Sequence, residues 1–246
     1  MTFENTTHLY NELVGQQYSD QTGQKFSQKP ISICVFDLDS TLFNVSPRSE
    51  FILHEFARLH RRIDLLNIRV GLNDWGVYES LLRHGLTTEK EHDLHQDLKN
   101  FWKEKFFSNE YVQYDEPYSG AIHFVQRLNE KKVPLFYLTG RDQQRMKLGT
   151  IAQLKKWGLP CDPEQIQLKP HKDMDDENFK LAWMKNLIDK NPGKNIYLFE
   201  NEPVNINSIG KNLPSVRIIF MNTTHSRKQV LSVPHTEIFN YNLERS

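Results

Sequence analysis

The chain reads as an α/β protein, a parallel sheet with helices packed on it, interrupted once by an all-helical insertion. Three observations carry that reading. Five short, largely apolar runs, the first of them rich in β-branched residues and each bounded by polar or turn residues, have the character of buried strands. Helical periodicity fills most intervals between them, the rhythm of right-handed β-α-β crossovers. Between the first two runs, from Pro47 to Phe107, helix-period stripes appear with no strand candidate.

The 246 residues allow one large domain, or a core with a smaller inserted unit. Lys and Arg number 31 and so do Asp and Glu, giving no net charge to draw nucleic acid or acidic membranes. Cys34 and Cys161 provide no disulfide framework and suit a reducing compartment. No apolar run approaches the roughly 20 residues of a membrane helix, and the polar N-terminus lacks a signal-peptide core. The expectation is a soluble, cytoplasmic protein.

Residues 1–29 are rich in Gln, Asn and Thr and read as a lead-in, with Leu9, Leu13 and Val14 spaced for one short helix. Ile31-Ser32-Ile33-Cys34-Val35-Phe36 is the first strand candidate. It runs into Asp37-Leu38-Asp39-Ser40-Thr41, two carboxylates followed by turn-forming residues. The carboxyl edge of an open α/β sheet is where ligands bind, so these acids mark a candidate site. Two converging carboxylates repel one another, and a hard, oxygen-seeking cation such as Mg²⁺ relieves that repulsion.

The insertion follows. Ile52, Phe56, Leu59, Ile63 and Leu66 recur at helical spacing behind Pro47; Asn73 to Leu82 suggest a shorter helix ended near Gly85; Leu94, Leu98, Phe101 and Trp102 form a third stripe. These aromatic stripes read as core. His84, His92 and His95 lack further close-set ligands and read as surface histidines.

After Tyr114-Asp115-Glu116-Pro117 the alternation resumes. Ser119 is the expected N-cap of a helix to Lys131. Val133 to Leu138 is the second strand, with Pro134 at its beginning, and it ends in Thr139-Gly140-Arg141-Asp142. A helix through Met146, Leu148, Ile151 and Leu154 stops at Gly158. Gln165 to Leu168 forms a short strand before Lys169-Pro170. Asp175 or Asp176 caps the next helix, and strands at 195–199 and 216–220 complete the set. The fourth strand opens onto Glu200-Asn201-Glu202-Pro203.

Asp37-x-Asp39-x-Thr41 behind an apolar strand resembles motif I of the haloacid dehalogenase (HAD) superfamily, whose members are mostly Mg²⁺-dependent phosphatases. Three further motifs follow in order, and the resemblance spans residues 31 to about 221. It implies a Rossmann-like, HAD-like core made of residues 30–45 and 117–246, with residues 46–116 as an α-helical cap.

The resemblance also assigns roles. Asp37 becomes the nucleophile that forms an aspartyl-phosphate, and Asp39 the acid/base. Thr139 matches motif II as a donor to the phosphoryl group. The motif III lysine is Lys180, 20 residues before Glu200, or Lys169, 31 residues before it; the shorter interval is nearer the family's spacing and favours Lys180. Thr41, Gly140, Arg141 and Lys169 are expected at the substrate. Mg²⁺ would be held by Asp37, the backbone carbonyl of Asp39, Glu200 and, through water, Asn201. Motif IV usually presents adjacent aspartates, so Glu200-Asn201 is a departure that removes one acid.

The activity implied is Mg²⁺-dependent hydrolysis of a small phosphomonoester. A polynucleotide-end phosphatase is an alternative, with Arg58, Arg61, Arg62 and Arg69 as a basic groove. A silent binding protein of the same fold is another.

Overall fold

The structure, a computed structural model, describes residues 6–15, 32–89 and 91–244. Helix α1 (Thr6–Val14) buries Leu9, Tyr10 and Leu13. The remainder of the 1–29 lead-in and Ile31 lie outside the described residues.

Strand β1 (Ser32–Phe36) is buried at every position, as a strand covered on both faces must be. A tight turn follows, in which Leu38 O accepts hydrogen bonds from the amides of Leu42 and Phe43, and Ser40 takes a positive φ of 60°. β2 (Phe43–Asn44) leads into helix α2 (Ser46–Leu59), then α3 (Val77–Arg83) and α4 (His92–Phe106). β3 (Glu116–Pro117) returns the chain and pairs antiparallel with β2.

The alternation then runs α5 (Ala121–Glu130), β4 (Leu135–Asp142), α6 (Gln143–Lys156), β5 (Ile166–Lys169), α7 (Asp176–Lys190), β6 (Asn195–Glu200), α8 (Pro203–Asn212), β7 (Arg217–Met221) and β8 (Thr236–Ile238). The main sheet has the order β5-β4-β1-β6-β7-β8, parallel throughout. β1 lies between β4 and β6, where the winding direction reverses, so the carboxyl ends of these three strands open onto one crevice.

One apolar cluster, with Phe36, Phe124, Tyr137 and Phe199, packs on one face of the sheet. A second, with Val35, Leu138, Met184 and Ile206, packs on the other. The helical segment has its own cluster, built on Phe56, Leu81, Leu94 and Leu98.

Several expectations are corrected. The main sheet has six strands where five were read, because Thr236-Glu237-Ile238 extends its edge. Ser119 does not cap α5: its hydroxyl donates to Asn242 Oδ1, and the N-cap is Gly120 at φ 79°, against which the Tyr241 backbone packs too closely for any Cβ. Leu59 and Ile63 are exposed because α2 ends at Leu59 and Arg61 turns the chain with a positive φ of 56°. Leu148 likewise faces outward from α6.

Candidate active site

Strand ends place most of the candidate side chains, and helix α7 places Lys180. Asp37 follows β1, its amide bonded to Phe199 O on β6. Thr139 lies in β4, where the register against β5 jumps between Thr139 and Asp142. Such a bulge re-aims side chains, and Gly140 and Arg141 are the residues it leaves out of the ladder. Glu200 ends β6. Lys180, in the second turn of α7, reaches across to both acids: its ammonium donates to Asp37 Oδ1 at 2.8 Å and to Glu200 Oε2 at 2.6 Å.

This triad is dry. Asp37, Lys180 and Glu200 are all buried. Two carboxylates with one ammonium leave a surplus negative charge, and the titration of Asp37 reflects it. Burial and the neighbouring Glu200 push its carboxyl up to about 7 against the pull of Lys180. Lys180 shifts further upward: its two carboxylate partners more than offset burial.

Asp39 belongs to a different network. Arg141 Nη2 contacts its Oδ1 at 2.6 Å and Arg48 Nη2 contacts the same oxygen at 2.7 Å. Both arginines also hold Asp115: Arg48 Nε donates to Oδ1 at 2.7 Å and Arg141 Nη2 to Oδ2 at 3.0 Å. Gln153 donates to Asp115 and accepts from Arg141. Two guanidinium groups and two carboxylates therefore form a neutral, buried cluster. Burial alone would raise Asp39, but Arg141 and Arg48 outweigh it and hold the carboxyl well below the usual range.

Motif IV is equally engaged. Glu200 accepts from the amides of Asn201 and Glu202, from Lys180 and from Asn205. Asn201 Oδ1 accepts from Thr41, whose hydroxyl also lies 3.2 Å from Asp37 Oδ2, and Asn201 Nδ2 donates to Thr224 O. Glu202 caps α8 and accepts from Ser226.

A cavity of about 480 Å³ opens above these groups, lined by Asp37, Asp39, Thr139, Gly140, Arg141, Lys180, Glu200 and Asn201 among others. Thr41 and Lys169 do not line it. Thr41 sits behind Asp37, and Lys169 donates to Asp176 and to the carbonyl of Met174, fixing the start of α7. Of the two lysines, Lys180 is the one beside the acids.

Among the described residues no three His, Cys, Asp or Glu side chains are grouped to hold a metal, because Asp39 faces two arginines and Lys180 lies between Asp37 and Glu200. What remains is one carboxylate, Asp37, with the amide oxygen of Asn201 and the Thr224 hydroxyl, which is buried and has no hydrogen-bond partner. A mixed oxygen set completed by water suits Mg²⁺, which keeps several of its own waters. The surplus negative charge at Asp37 suits it too.

Sequence reasoning missed Arg48 and Asp115, and Thr224, which follows the last of the five strands read from the sequence, has the look of an ordinary loop hydroxyl. Charged residues on a helix and before a turn carry no signal that they will be buried together.

A family model for haloacid dehalogenase-like hydrolases matches residues 31–174, more than half of the chain. The chain belongs to the haloacid dehalogenase-like hydrolase family. Among solved structures, a putative phosphatase from Clostridium difficile aligns at 11% identity with a TM-score of 0.50, over 84% of this chain and 93% of that one. A putative haloacid dehalogenase-like hydrolase from Bacteroides fragilis aligns at 13% identity and TM-score 0.49, over 83% and 95%. A HAD family hydrolase from Deinococcus radiodurans with bound phosphate and sodium aligns at 15% identity and TM-score 0.48, over 85% and 92%. No curated protein matches. At such identities a likeness speaks of fold alone, and the HAD hydrolase reading of this site rests on its residues.

Proposed function

We infer that this HAD hydrolase is a phosphomonoesterase working through an aspartyl-phosphate on Asp37. The observation that carries this is Lys180 held between Asp37 and Glu200 at the base of the cavity, with Thr139 on the same wall. A carboxylate buried beside a fixed ammonium is a nucleophile whose charge is held in place and whose product, a phosphorylated aspartate, keeps a cation beside it.

An Asp37 oxygen attacks phosphorus as the bond to the leaving alcohol breaks. Thr139 donates to a phosphoryl oxygen, and Lys180 stays paired with the developing negative charge. Asp39 supplies the proton the alcohol takes away, then receives one from the water that attacks phosphorus, releasing inorganic phosphate and restoring Asp37. The grip of Arg48 and Arg141 favours the ionised form of Asp39, the form that activates water; to act first as an acid it must loosen one guanidinium contact. Its side chain is 26% exposed, toward the cavity, which leaves room for that movement.

Asp37, the Asp39 carbonyl, Asn201 and the Thr224 hydroxyl would hold Mg²⁺, with Glu200 anchoring Lys180. When bound, the ion neutralises charge on the phosphoryl oxygens. Residues 46–116 serve as the cap, contributing aromatic side chains to the cavity wall and keeping bulk water from the acids. The basic groove of a polynucleotide-end phosphatase finds little support, since Arg62 pairs with Asp64 and Glu91 and Arg69 with Glu50.

The test is fluoroberyllate with Mg²⁺, which should give an adduct on Asp37, together with Mg²⁺-dependent release of phosphate from an aryl phosphate. Asp37→Asn should abolish both. Turnover that survives Asp37→Asn would sink the nucleophile assignment, and a wild-type protein with no turnover would indicate a silent binding protein.

A further inference from the structure

The cavity has an aromatic wall that phosphoryl transfer does not use. Trp75, Trp102, Phe106 and Phe107 line it from the helical segment. The Trp102 and Phe106 rings stack with centroids 4.3 Å apart, and Phe107 meets Trp102 edge-on at 6.1 Å. Gly76 brings the Trp75 loop against this cluster, since a Cβ built there would lie 3.7 Å from Trp102 Cζ2. Arg48 already covers one face of Phe106 at 4.2 Å. Trp75 is 46% exposed.

The same cavity carries a surplus of negative charge. Eight of its lining residues are carboxylates and three are cationic. Behind the wall, Arg48 compensates Asp39, Arg83 compensates Asp74 and Lys169 compensates Asp176. Glu177 has no such counter-ion among the described residues. It is half-buried, lines the cavity and stands three residues before Lys180, on the same face of α7. Asp175 lies at the start of the same helix.

Aromatic faces and uncompensated carboxylates lining one cavity attract an organic cation twice over, through the ring quadrupole and through simple charge. The same combination repels polyanionic leaving groups. We propose that the cavity selects phosphomonoesters whose leaving alcohol carries an ammonium or quaternary ammonium group, with Trp75, Trp102 and Glu177 recognising it. This rests on the phosphatase reading above and names the substrate class of that same site.

The test compares phosphocholine with 3,3-dimethylbutyl phosphate, its neutral carbon isostere, using the full chain with Mg²⁺. The expected result is a kcat/KM about tenfold higher for phosphocholine. That preference should shrink several-fold in Glu177→Gln, which keeps the shape of the side chain, and again in Trp75→Leu. Binding of choline alone, followed by tryptophan fluorescence against 3,3-dimethylbutanol, reads recognition without turnover.

If an aryl phosphate is hydrolysed while phosphocholine and its isostere differ by less than twofold, the cation proposal is overturned and the phosphatase reading stands. Saturable choline binding without turnover of any phosphomonoester would uphold cation recognition and overturn the phosphatase reading. Choline that binds no better than dimethylbutanol, with no turnover, overturns both.

Discussion

Asp39 shows how much of a residue's behaviour lies outside its own neighbourhood in sequence. A D-x-D pair at a strand end is readable, as are Thr139 and Glu200, because buried strands announce themselves by composition and the candidate site lies where they stop. Lys180, on a helix, is picked out only by the family's spacing to Glu200. The partners of Asp39 are not readable. Arg48 lies on α2 and Asp115 beyond α4, 67 residues apart, and they meet because β2 pairs with β3. Nothing in either local pattern distinguishes them from solvated charges. The cluster they form predicts a stability effect. Asp115→Asn leaves two buried guanidinium groups sharing Asp39, and one uncompensated buried charge should cost about 3 kcal/mol. Urea unfolding of the variant reads this directly, and a loss under about 1 kcal/mol would mean that Asp115 is not the counter-ion the geometry makes it.

At the scale of elements, the contact between α6 and the chain leaving α4 makes a prediction whose sign is informative. Gly149 lies within α6, and its amide donates to Asn109 Oδ1 at 2.7 Å. A Cβ there would fall 2.4 Å from Asn109 O, a backbone atom that cannot step aside alone. In an unpacked helix Gly→Ala stabilises by about 1 kcal/mol. Here the clash should outweigh that gain, so Gly149→Ala should lower the thermal midpoint, and a rise would show that the contact does not form.

The loop before α3 gives a pH effect. Burial raises the Asp74 carboxyl, but hydrogen bonds from Arg83, Ser80 and the Gly71 amide outweigh it and hold it below the usual carboxylate range. A depressed folded value means stability that is present above the unfolded pKa, about 4, and lost as pH falls through the folded one. Asp74→Asn should therefore be less stable than wild type at pH 6, and the difference should shrink toward pH 3. A difference constant over that range would contradict the assignment.

For the whole molecule, the legible and illegible parts divide by how far apart in sequence the contacts lie. The crossover rhythm gave the parallel sheet, and the single break in that rhythm located the helical segment. The edge strand β8 was not visible because three residues, two of them polar, match no strand pattern. The link from the chain's end back to motif I was equally hidden: Tyr241 is fully buried, donates to Thr41 O and takes its amide's partner from Ser119. α1 joins this closure, with Thr6 bonded to Asn240 O and Glu12 to Tyr197 and Arg217. Contacts spanning most of the chain leave no trace in a local window.

The antiparallel pairing of β2 with β3 has one more consequence. Asn44 and Glu116 face each other across the ladder, so the chain enters and leaves the helical segment at neighbouring points, with Cα atoms about 5 Å apart. The segment should therefore be excisable. A two-residue hairpin turn in place of residues 45–115 closes the chain without displacing either strand. That deletion removes Arg48 and Asp115 together and leaves Asp39 and Arg141 as a balanced pair. The shortened protein should unfold cooperatively in urea with a smaller m-value, whereas a non-cooperative transition would show that the sheet and the helical segment fold only as one unit. If it folds, the α/β part becomes a socket on which helical segments from other proteins can be exchanged.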